Sequence, residues 1–523
     1  MRLRWRGRLA AVVGLALVLS GCAGTGDGQQ LTPQATGTPI RGEVDPNATL
    51  RVGYGVAPTS LDPHAATSEV VSFRFGLSLV YDRLFTITSE GVVTGMLVNS
   101  WEYSEDGRTL TMRLREDVTF RDGTPLDAEA VRVNLERVRS MSTAPGTRLR
   151  PVTSVQVTGP YEVRLTLASP TQAIPYVLAD VAGFILHPDL ITNGDPATTA
   201  NGSGAYRVES FTPGESLTLV RDRDDYWDPE AAKIRCFEFT AITDQQAYTN
   251  AIVAGQIDIG QYQPQNIAAV KGKEGLVTVP VPQGIGVELF LNHKVPPLDQ
   301  VKVRQAINHA YDRAAIAQVL YPGSEPKWQY TRKGMPGFDE KLEGAYPYDP
   351  ERAKQLLAEA GFPNGVHIGQ VLVTTAVGSQ LPDVLREQLG QVGITFEPVT
   401  VDQLQIFQQW GSGAAAGMLN FTPAIGEPVS TAVSRWEARQ PPGLADDPEY
   451  ARLKAAASAP GLSDEDRRAA AAKLNGYTVE QAWGAPIVWI NYPWVMTDRL
   501  QGFTTGMDYA TTSGPYDFRY LSM

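Results

Sequence analysis

Residues 287–313, VELFLNHKVPPLDQVKVRQAINHAYDR, contain a strand, a break and a helix in one continuous unit. Apolar side chains alternate along the first part and one more lies between them: Val287, Leu289, Leu291 and Phe290. This pattern predicts a strand that is buried on both faces. Pro296 and Pro297 end the strand, because neither proline donates a hydrogen bond to a sheet ladder. The unit is typical of an α/β fold.

The second half of the same stretch predicts a helix. Asp299 is expected to cap it, and apolar residues then recur at helical spacing: Val303, Ala306, Ile307 and Ala310. Charged side chains fall between these positions: Lys302, Arg304 and Arg313. We therefore expect an amphipathic helix whose charged residues point away from the core.

Length and charge restrict the class of protein. A chain of 523 residues exceeds one ordinary hydrophobic core, so two or three domains are expected. The formal net charge of -12 at pH 7 disfavours nucleic acid as a partner, because phosphates require a basic surface. The two cysteines, Cys22 and Cys236, do not make a disulfide framework.

The first residues are typical of a targeting segment. Four arginines precede an uncharged apolar run over residues 9–19, which is long enough for a signal-peptide core and too short to span a bilayer. The sequence LSGC at residues 19–22 is similar to a bacterial lipobox. We expect residues 1–21 to be a signal peptide, Cys22 to carry lipid, and residues 22–48 to form a flexible linker. The alternative is an ordinary secretory signal with an incidental cysteine.

Several further segments have recognisable local signals. Asp127 is placed to cap a helix, and Asp349-Pro350 begins another that Gly361 ends. Residues 152–168 predict a hairpin around Gly159-Pro160, and residues 394–401 predict a strand after a helix. The alternation of helices and strands in the second half favours an α/β arrangement.

Segments distributed along the chain resemble, in the same order, the solute-binding proteins of peptide and oligopeptide ABC importers. They are SLDP at 60–63, VYDRLF at 80–85, the block at 101–131, NGSGAY at 201–206, DYW at 225–227, AIVAGQIDI at 251–259 and the opening unit at 287–313. Ala205 stands where the family's turn usually has proline.

The resemblance implies an α/β, bilobal periplasmic-binding-protein-like fold (class II, large cluster C type) with an extra domain in the first lobe. The implied boundaries are 49–84 with 203–284 and 486–523 for lobe I, 85–202 for the extra domain, and 285–485 for lobe II.

Catalytic and metal-binding patterns are weak. The five histidines are never closer than sixteen residues apart, so neither HExxH nor a histidine pair on one helix face occurs. The glycine-rich residues 411–417 have the wrong spacing for a dinucleotide loop. We expect no cofactor, no metal and no enzymatic activity; the rival is a secreted hydrolase with an unplaced Ser or Asp nucleophile.

The resemblance also implies a ligand segment at residues 420–428, NFTPAIGEP. In the family, a loop here carries an aspartate that pairs with the α-ammonium of a peptide, and Ala424 occupies that position in this chain. A buried ammonium needs a charged partner, so an ordinary free-amino peptide is disfavoured. In the alternative alignment, Glu427 or Asp402 provides the carboxylate. The expected ligand-binding residues are Thr59, Trp410, Asn420, Phe421, Thr422, Ala424 and Glu427, and Trp410, Phe421 and Trp436 are equally acceptable as core residues.

The implied function is the binding subunit of an ABC importer, which captures a peptide or peptide-like solute between two lobes and delivers it to a membrane permease. The implied partners are the permease and ATPase subunits, and the membrane through the lipid anchor on the outer face of the bacterial cytoplasmic membrane. A monomer is expected. Alternatives on the same fold are a protein that binds a sugar, an opine or a metal complex, and a sensor or chaperone.

Replacing Cys22 with Ser should release the protein from the membrane without altering its fold, because the anchor is covalent lipid and residues 9–19 are too short to span. Membrane fractionation in high salt measures this. A Cys22→Ser variant that remains membrane-bound would show that the lipobox interpretation is wrong.

Overall fold

The structure is a computed structural model, and it describes residues 43–55, 58–65, 71–87, 92–374, 377, 380–401, 406–423, 429, 432, 436, 447–503 and 517–523. The strands are β1 (Thr49–Tyr54), β2 (Phe85–Ile87), β3 (Val93–Gly95), β4 (Val98–Tyr103), β5 (Thr109–Leu114), β6 (Val152–Gly159), β7 (Glu162–Leu167), β8 (Tyr206–Thr212), β9 (Ser216–Arg221), β10 (Cys236–Ala241), β11 (Ile259–Gln261), β12 (Leu276–Leu291), β13 (Glu325–Pro326), β14 (Val366–Thr374), β15 (Ile394–Val401), β16 (Gly417–Pro423) and β17 (Gly484–Thr497).

The helices are α1 (Val71–Val80), α2 (Ala128–Ser140), α3 (Ala144–Leu149), α4 (Ile174–Leu178), α5 (Pro188–Asn193), α6 (Gln245–Val253), α7 (Val301–His309), α8 (Arg313–Leu320), α9 (Pro350–Glu359), α10 (Gln380–Gln391), α11 (Ile406–Gly411), α12 (Pro448–Ala457) and α13 (Asp464–Glu480). Within the part of the chain that is described, none of these helices is both long and apolar enough to cross a membrane.

Local sequence signals set several of these boundaries as predicted. Asp127 caps α2 by accepting a hydrogen bond from the backbone N–H of Ala130. Asp349 caps α9, with Pro350 in the first turn, and Gly361 follows with a left-handed φ of 90°. The predicted hairpin is β6 and β7, and the strand predicted at residues 394–401 is β15.

Two details of the opening unit were predicted wrongly. Helix α7 begins at Val301 with Gln300 at its cap, so Asp299 lies outside the helix. Arg304 and Arg313 are buried rather than exposed. The Arg313 guanidinium donates to several backbone carbonyls, including that of Asn308 at 2.8 Å and that of Pro486 at 2.7 Å. These carbonyl oxygens compensate the buried cation, and they come from parts of the chain that a helical pattern does not report.

The main sheet has eleven strands among the described residues, in the order β15-β14-β16-β12-β17-β11-β1-β10-β9-β8, with β13 attached to β17. β12 and β17 are antiparallel and pair from Leu276↔Thr497 to Phe290↔Gly484. Their register shifts between Pro282 and Gly286, and again between Val287 and Glu288, where irregularities interrupt the ladder. This pair joins the two halves of the sheet.

A second, four-stranded sheet has the order β4-β5-β7-β6. Together with α2 it surrounds a hydrophobic core formed mostly by residues 84–185. Separate cores involve β1, β9 and β10, and the β12–β16 half of the main sheet with α7, α9 and α10. The domain boundaries given above stay a prediction.

A buried polar network joins the loop after β1 to helix α2. The Arg137 guanidinium donates to both carboxylate oxygens of Asp62, at 3.0 and 2.7 Å, and to Nδ1 of His64 at 2.8 Å. Nε2 of His64 lies 3.0 Å from the Phe184 carbonyl oxygen, to which it donates. His64 is therefore held neutral, and burial together with the Arg137 charge lowers its pKa to about 4.

This network predicts loss of stability in acid. Between pH 6.5 and about 4 the unfolded chain protonates His64 and the folded chain does not, so the free energy of unfolding should fall as the pH is lowered, by about 3 kcal/mol at pH 4. Burial lowers the pKa of His293 to about 4 as well, which acts in the same direction. Urea unfolding across this range measures the slope.

The His64→Gln variant should have a shallower dependence on pH, because it removes one proton-binding site of the unfolded chain. His367→Gln is the control, because His367 is exposed. Equal slopes for the wild type and His64→Gln would contradict the assignment.

Candidate functional site

One face of the β12–β16 pair carries polar side chains at its centre. The register places Glu288 opposite Asn420, and Gly286 opposite Thr422. Directly opposed residues lie on the same face of a sheet, and alternate residues along each strand share it. The polar positions therefore form one group on this face, next to the apolar pair Phe290 and Met418.

A buried ion pair lies in this group. The Lys327 ammonium binds the Glu288 carboxylate, and both side chains are 0% exposed. Lys327 also donates to Oγ1 of Thr422 at 2.9 Å, and its nitrogen lies 4.1 Å from the centroid of the Trp489 ring. We call Glu288, Lys327, Asn420 and Thr422 the polar cluster.

The short strand β13 brings Lys327 to this position. Glu325 pairs with Trp489, and Pro326 pairs with Val488. The backbone N–H of Lys327 then donates to the Ile487 carbonyl oxygen at 3.1 Å. The main chain on each side of the lysine is thus fixed against β17, which directs its side chain across the sheet.

Gly286 allows the lysine to approach the strand. A Cβ atom at this position would lie 2.4 Å from the Lys327 nitrogen. Thr422 completes the arrangement, because its hydroxyl lies 3.0 Å from a Glu288 oxygen and 3.2 Å from the Gly286 carbonyl oxygen. Good geometry of this kind is required for a buried pair, since both charges have lost their hydration.

The polar cluster lies where two hydrophobic cores meet. Trp489, whose ring covers Lys327, packs with Met335 into the core of residues 84–185. Val488 and Ile490, on either side of it, pack into the core of the β12–β16 half. Ligand sites occur preferentially at such junctions between packing units.

The residues predicted to bind ligand do not lie together in the structure. Asn420 and Thr422 lie in the polar cluster, and Phe421 is half-buried against the core on the opposite face of the sheet. Thr59 is exposed. Ala424, Glu427, Asp402 and Cys22 lie outside the described residues.

Trp410 and Trp436 are buried in one core cluster with Phe290, Tyr330 and Trp483. The Trp436 ring packs edge-on against Tyr330 with centroids 4.7 Å apart. This placement favours the core role that the sequence left open for both tryptophans.

Two members of the polar cluster were not predicted as site residues. Glu288 had a detectable signal, because a carboxylate within a strand predicted to be buried on both faces requires a partner. Lys327 had none, since nothing in the sequence EPKWQ at residues 325–329 indicates that this lysine is buried.

The eleven-stranded mixed sheet with its packed helices, and the separate four-stranded sheet with its own core, define an α/β protein with more than one packing unit. Residues 92–429 match the family described as bacterial extracellular solute-binding proteins, family 5. The chain belongs to this family.

Curated and solved relatives agree with this assignment. The glutathione-binding protein GsiB of Salmonella paratyphi A is 28% identical over 374 residues, which cover 67% of this chain and 69% of that protein. The ABC transporter-associated periplasmic binding protein DppA of Helicobacter pylori, in complex with the peptide STSA, has a TM-score of 0.71 at 19% identity and covers 91% of this chain and 98% of its own. NikA of Brucella suis, in complex with Fe(III)-EDTA, has a TM-score of 0.76 at 24% identity, and the match covers 91% of this chain and 100% of NikA.

The family assignment confirms the predicted fold class and the implied type of function, an extracellular solute-binding protein. The expectation that the chain is not an enzyme agrees with the nature of these relatives, which are binding proteins.

Replacing Lys327 with Met should lower the free energy of unfolding by about 3 to 5 kcal/mol, because it leaves the Glu288 carboxylate buried without its cation. The double variant Lys327→Met/Glu288→Met should recover most of this loss, since it removes both charges and keeps similar volume. Urea unfolding of the two single variants and the double variant measures the coupling.

Lys333→Met is a matched control on the same segment. Lys333 pairs with Glu340 on the surface, where both side chains are about three-quarters exposed, at 75% and 76%. Lys333→Met should change the free energy of unfolding by about 1 kcal/mol or less. If the double variant Lys327→Met/Glu288→Met loses as much stability as the two single variants together, Lys327 and Glu288 are not energetically coupled.

Proposed function

We propose that this protein captures a peptide-like solute whose amino end bears no free ammonium, and presents it to the permease of an ABC importer. The polar cluster carries this proposal. It is a buried, charge-compensated group at the junction of two cores. Two of its members, Asn420 and Thr422, lie just before residues 424–428 in the chain. We further propose that lobe I (49–84, 203–284 and 486–523) and lobe II (285–485) close over the solute at this junction.

The lack of an uncompensated acid on the described part of the β12–β16 face supports the ligand class. Alanine occupies position 424, where the resemblance to peptide importers implies an aspartate. Glu288 is the nearest described acid along the β12–β16 face, and Lys327 already binds it. The neutral ion pair therefore leaves no net negative charge on this face to compensate a ligand ammonium that loses its hydration.

The curated relative supports a peptide-like ligand rather than a particular one. GsiB is named as a glutathione-binding protein, and it matches two thirds of this chain. A ligand with a free α-ammonium would lack its carboxylate partner in this protein, because residue 424 is alanine. N-blocked peptides are therefore the better candidates.

The remaining parts of the proposal concern location. We propose that residues 1–21 are removed, that Cys22 carries the lipid anchor, and that residues 22–48 tether a monomeric binding protein at the outer face of the cytoplasmic membrane. The supporting observation is the order of basic start, apolar run and LSGC sequence.

The proposed ligand class predicts a preference between two matched probes. N-acetyl-trialanine should bind more tightly than trialanine, because only trialanine brings an uncompensated ammonium into the site. Ala424→Asp should shift this preference toward trialanine, since an opposite charge in a dry cleft is worth on the order of 1 to 3 kcal/mol. Isothermal titration calorimetry measures both affinities.

Small-angle scattering provides an independent test of capture between lobes. The radius of gyration should decrease on addition of N-acetyl-trialanine at saturation.

Micromolar or tighter binding of trialanine to the wild type would show that another acid, such as Glu427 or Asp402, has the role assigned by resemblance to position 424.

A further inference from the structure

Asn420 differs from other buried asparagines in its hydrogen bonding. Its side chain is 0% exposed, and its Oδ1 accepts the backbone N–H of Phe421 at 2.7 Å. Its amide nitrogen has no acceptor among the residues that the structure describes. Buried amide groups are normally bonded, so a sealed donor of this kind indicates an acceptor that is supplied from elsewhere.

Asn134 shows the ordinary arrangement. It is equally buried, and its amide nitrogen donates to the carbonyl oxygens of Ala130 at 2.9 Å and Leu186 at 2.7 Å. Its Oδ1 accepts the backbone N–H of Leu186 at 2.9 Å. The fold therefore satisfies a buried asparagine completely where the residue has a purely structural role.

The surroundings of Asn420 also differ from those of two other unbonded donors. The indole nitrogens of Trp410 and Trp494 likewise lack acceptors among the described residues, but both rings lie within apolar core clusters. Asn420 instead faces the same side of the sheet as Glu288 and Thr422, within the polar cluster. Its donor thus belongs to the one polar junction between two cores that was described above.

The charges of the cluster restrict the missing acceptor. Lys327 and Glu288 compensate each other, so the group has no net charge to offer a ligand ion. A ligand carboxylate beside Asn420 would lose its hydration without gaining an uncompensated positive charge, which opposes its binding. The carbonyl oxygen of an amide accepts a hydrogen bond without bringing a charge, and it matches a neutral N–H donor.

We propose that Asn420 is a specificity-determining residue, which donates its amide N–H to a backbone carbonyl oxygen of a peptide-like ligand. The ligand class is narrowed to solutes that present an uncharged amide at this position. This inference rests on the proposed function, because opening of the lobes is what admits a ligand to a nitrogen that is sealed from water in this structure.

The test uses the full chain and a neutral probe, N-acetyl-trialanine methylamide, which has amide carbonyls and no charged terminus. Asn420→Leu keeps the branched shape of the side chain and removes its amide donor and acceptor. Affinity for the probe by calorimetry should fall about tenfold or more, the equivalent of one lost hydrogen bond in a dry site. The unfolding midpoint of the ligand-free variant should fall less than that of Asn134→Leu, because the only hydrogen bond lost is the one from the Phe421 N–H and an unbonded donor is removed with it.

Asn134→Leu is the matched control. It removes three hydrogen bonds of a satisfied asparagine, so its unfolding midpoint should fall while its affinity for the probe is retained. The two variants thus separate a ligand donor from a structural asparagine.

Other outcomes overturn the inference. If Asn420→Leu fails to fold, or loses stability as Asn134→Leu does, then Asn420 is structural. If the wild type binds the probe and Asn420→Leu binds it equally well, the inference fails and the proposed function stands. If the wild type binds none of the three alanine probes and retains no solute in native mass spectrometry, both fail.

Discussion

The antiparallel pairing of β12 with β17 is the constraint on which the rest of the structure depends. The pair joins the two halves of the main sheet, and its register shifts twice, between Pro282 and Gly286 and between Val287 and Glu288. Side chains alternate along a strand, so the register beyond these shifts determines which face each later residue occupies. A slip of one residue would turn Glu288 away from Lys327 and replace it with an apolar neighbour. The polar cluster exists because this register is fixed.

The same pairing explains why a charged pair is tolerated inside the protein. β13 attaches to β17 and fixes the backbone around Lys327, while Gly286 leaves room for the ammonium. A lysine held in this way loses little further freedom when it binds Glu288. An ion pair of the same type on the surface, such as Lys333 with Glu340, is open to water and screened, and it contributes much less.

Much of the fold was predictable because its signals are local. Asp127, and Asp349 with Pro350, determine helix starts through bonds to residues within the same turn. The family resemblance then indicated the bilobal architecture. Prediction failed where the partner is distant in the chain: the burial of Arg313 depends on carbonyl oxygens such as that of Pro486, 173 residues away. Lys327 was missed for the same reason, and Asp299 because its helix starts one residue later than the proline turn suggested.

The candidate site joins two independent lines of reasoning about the ligand. The resemblance to peptide importers concerns position 424, and it indicates that alanine stands where the family has the carboxylate for a ligand ammonium. The geometry concerns Glu288, and it shows that the carboxylate on the neighbouring strand is already bound by a lysine of the same chain. Neither observation depends on the other. Both support the proposed uncharged ligand, for which hydrogen bonding, with Asn420 as the proposed donor, is the means of recognition.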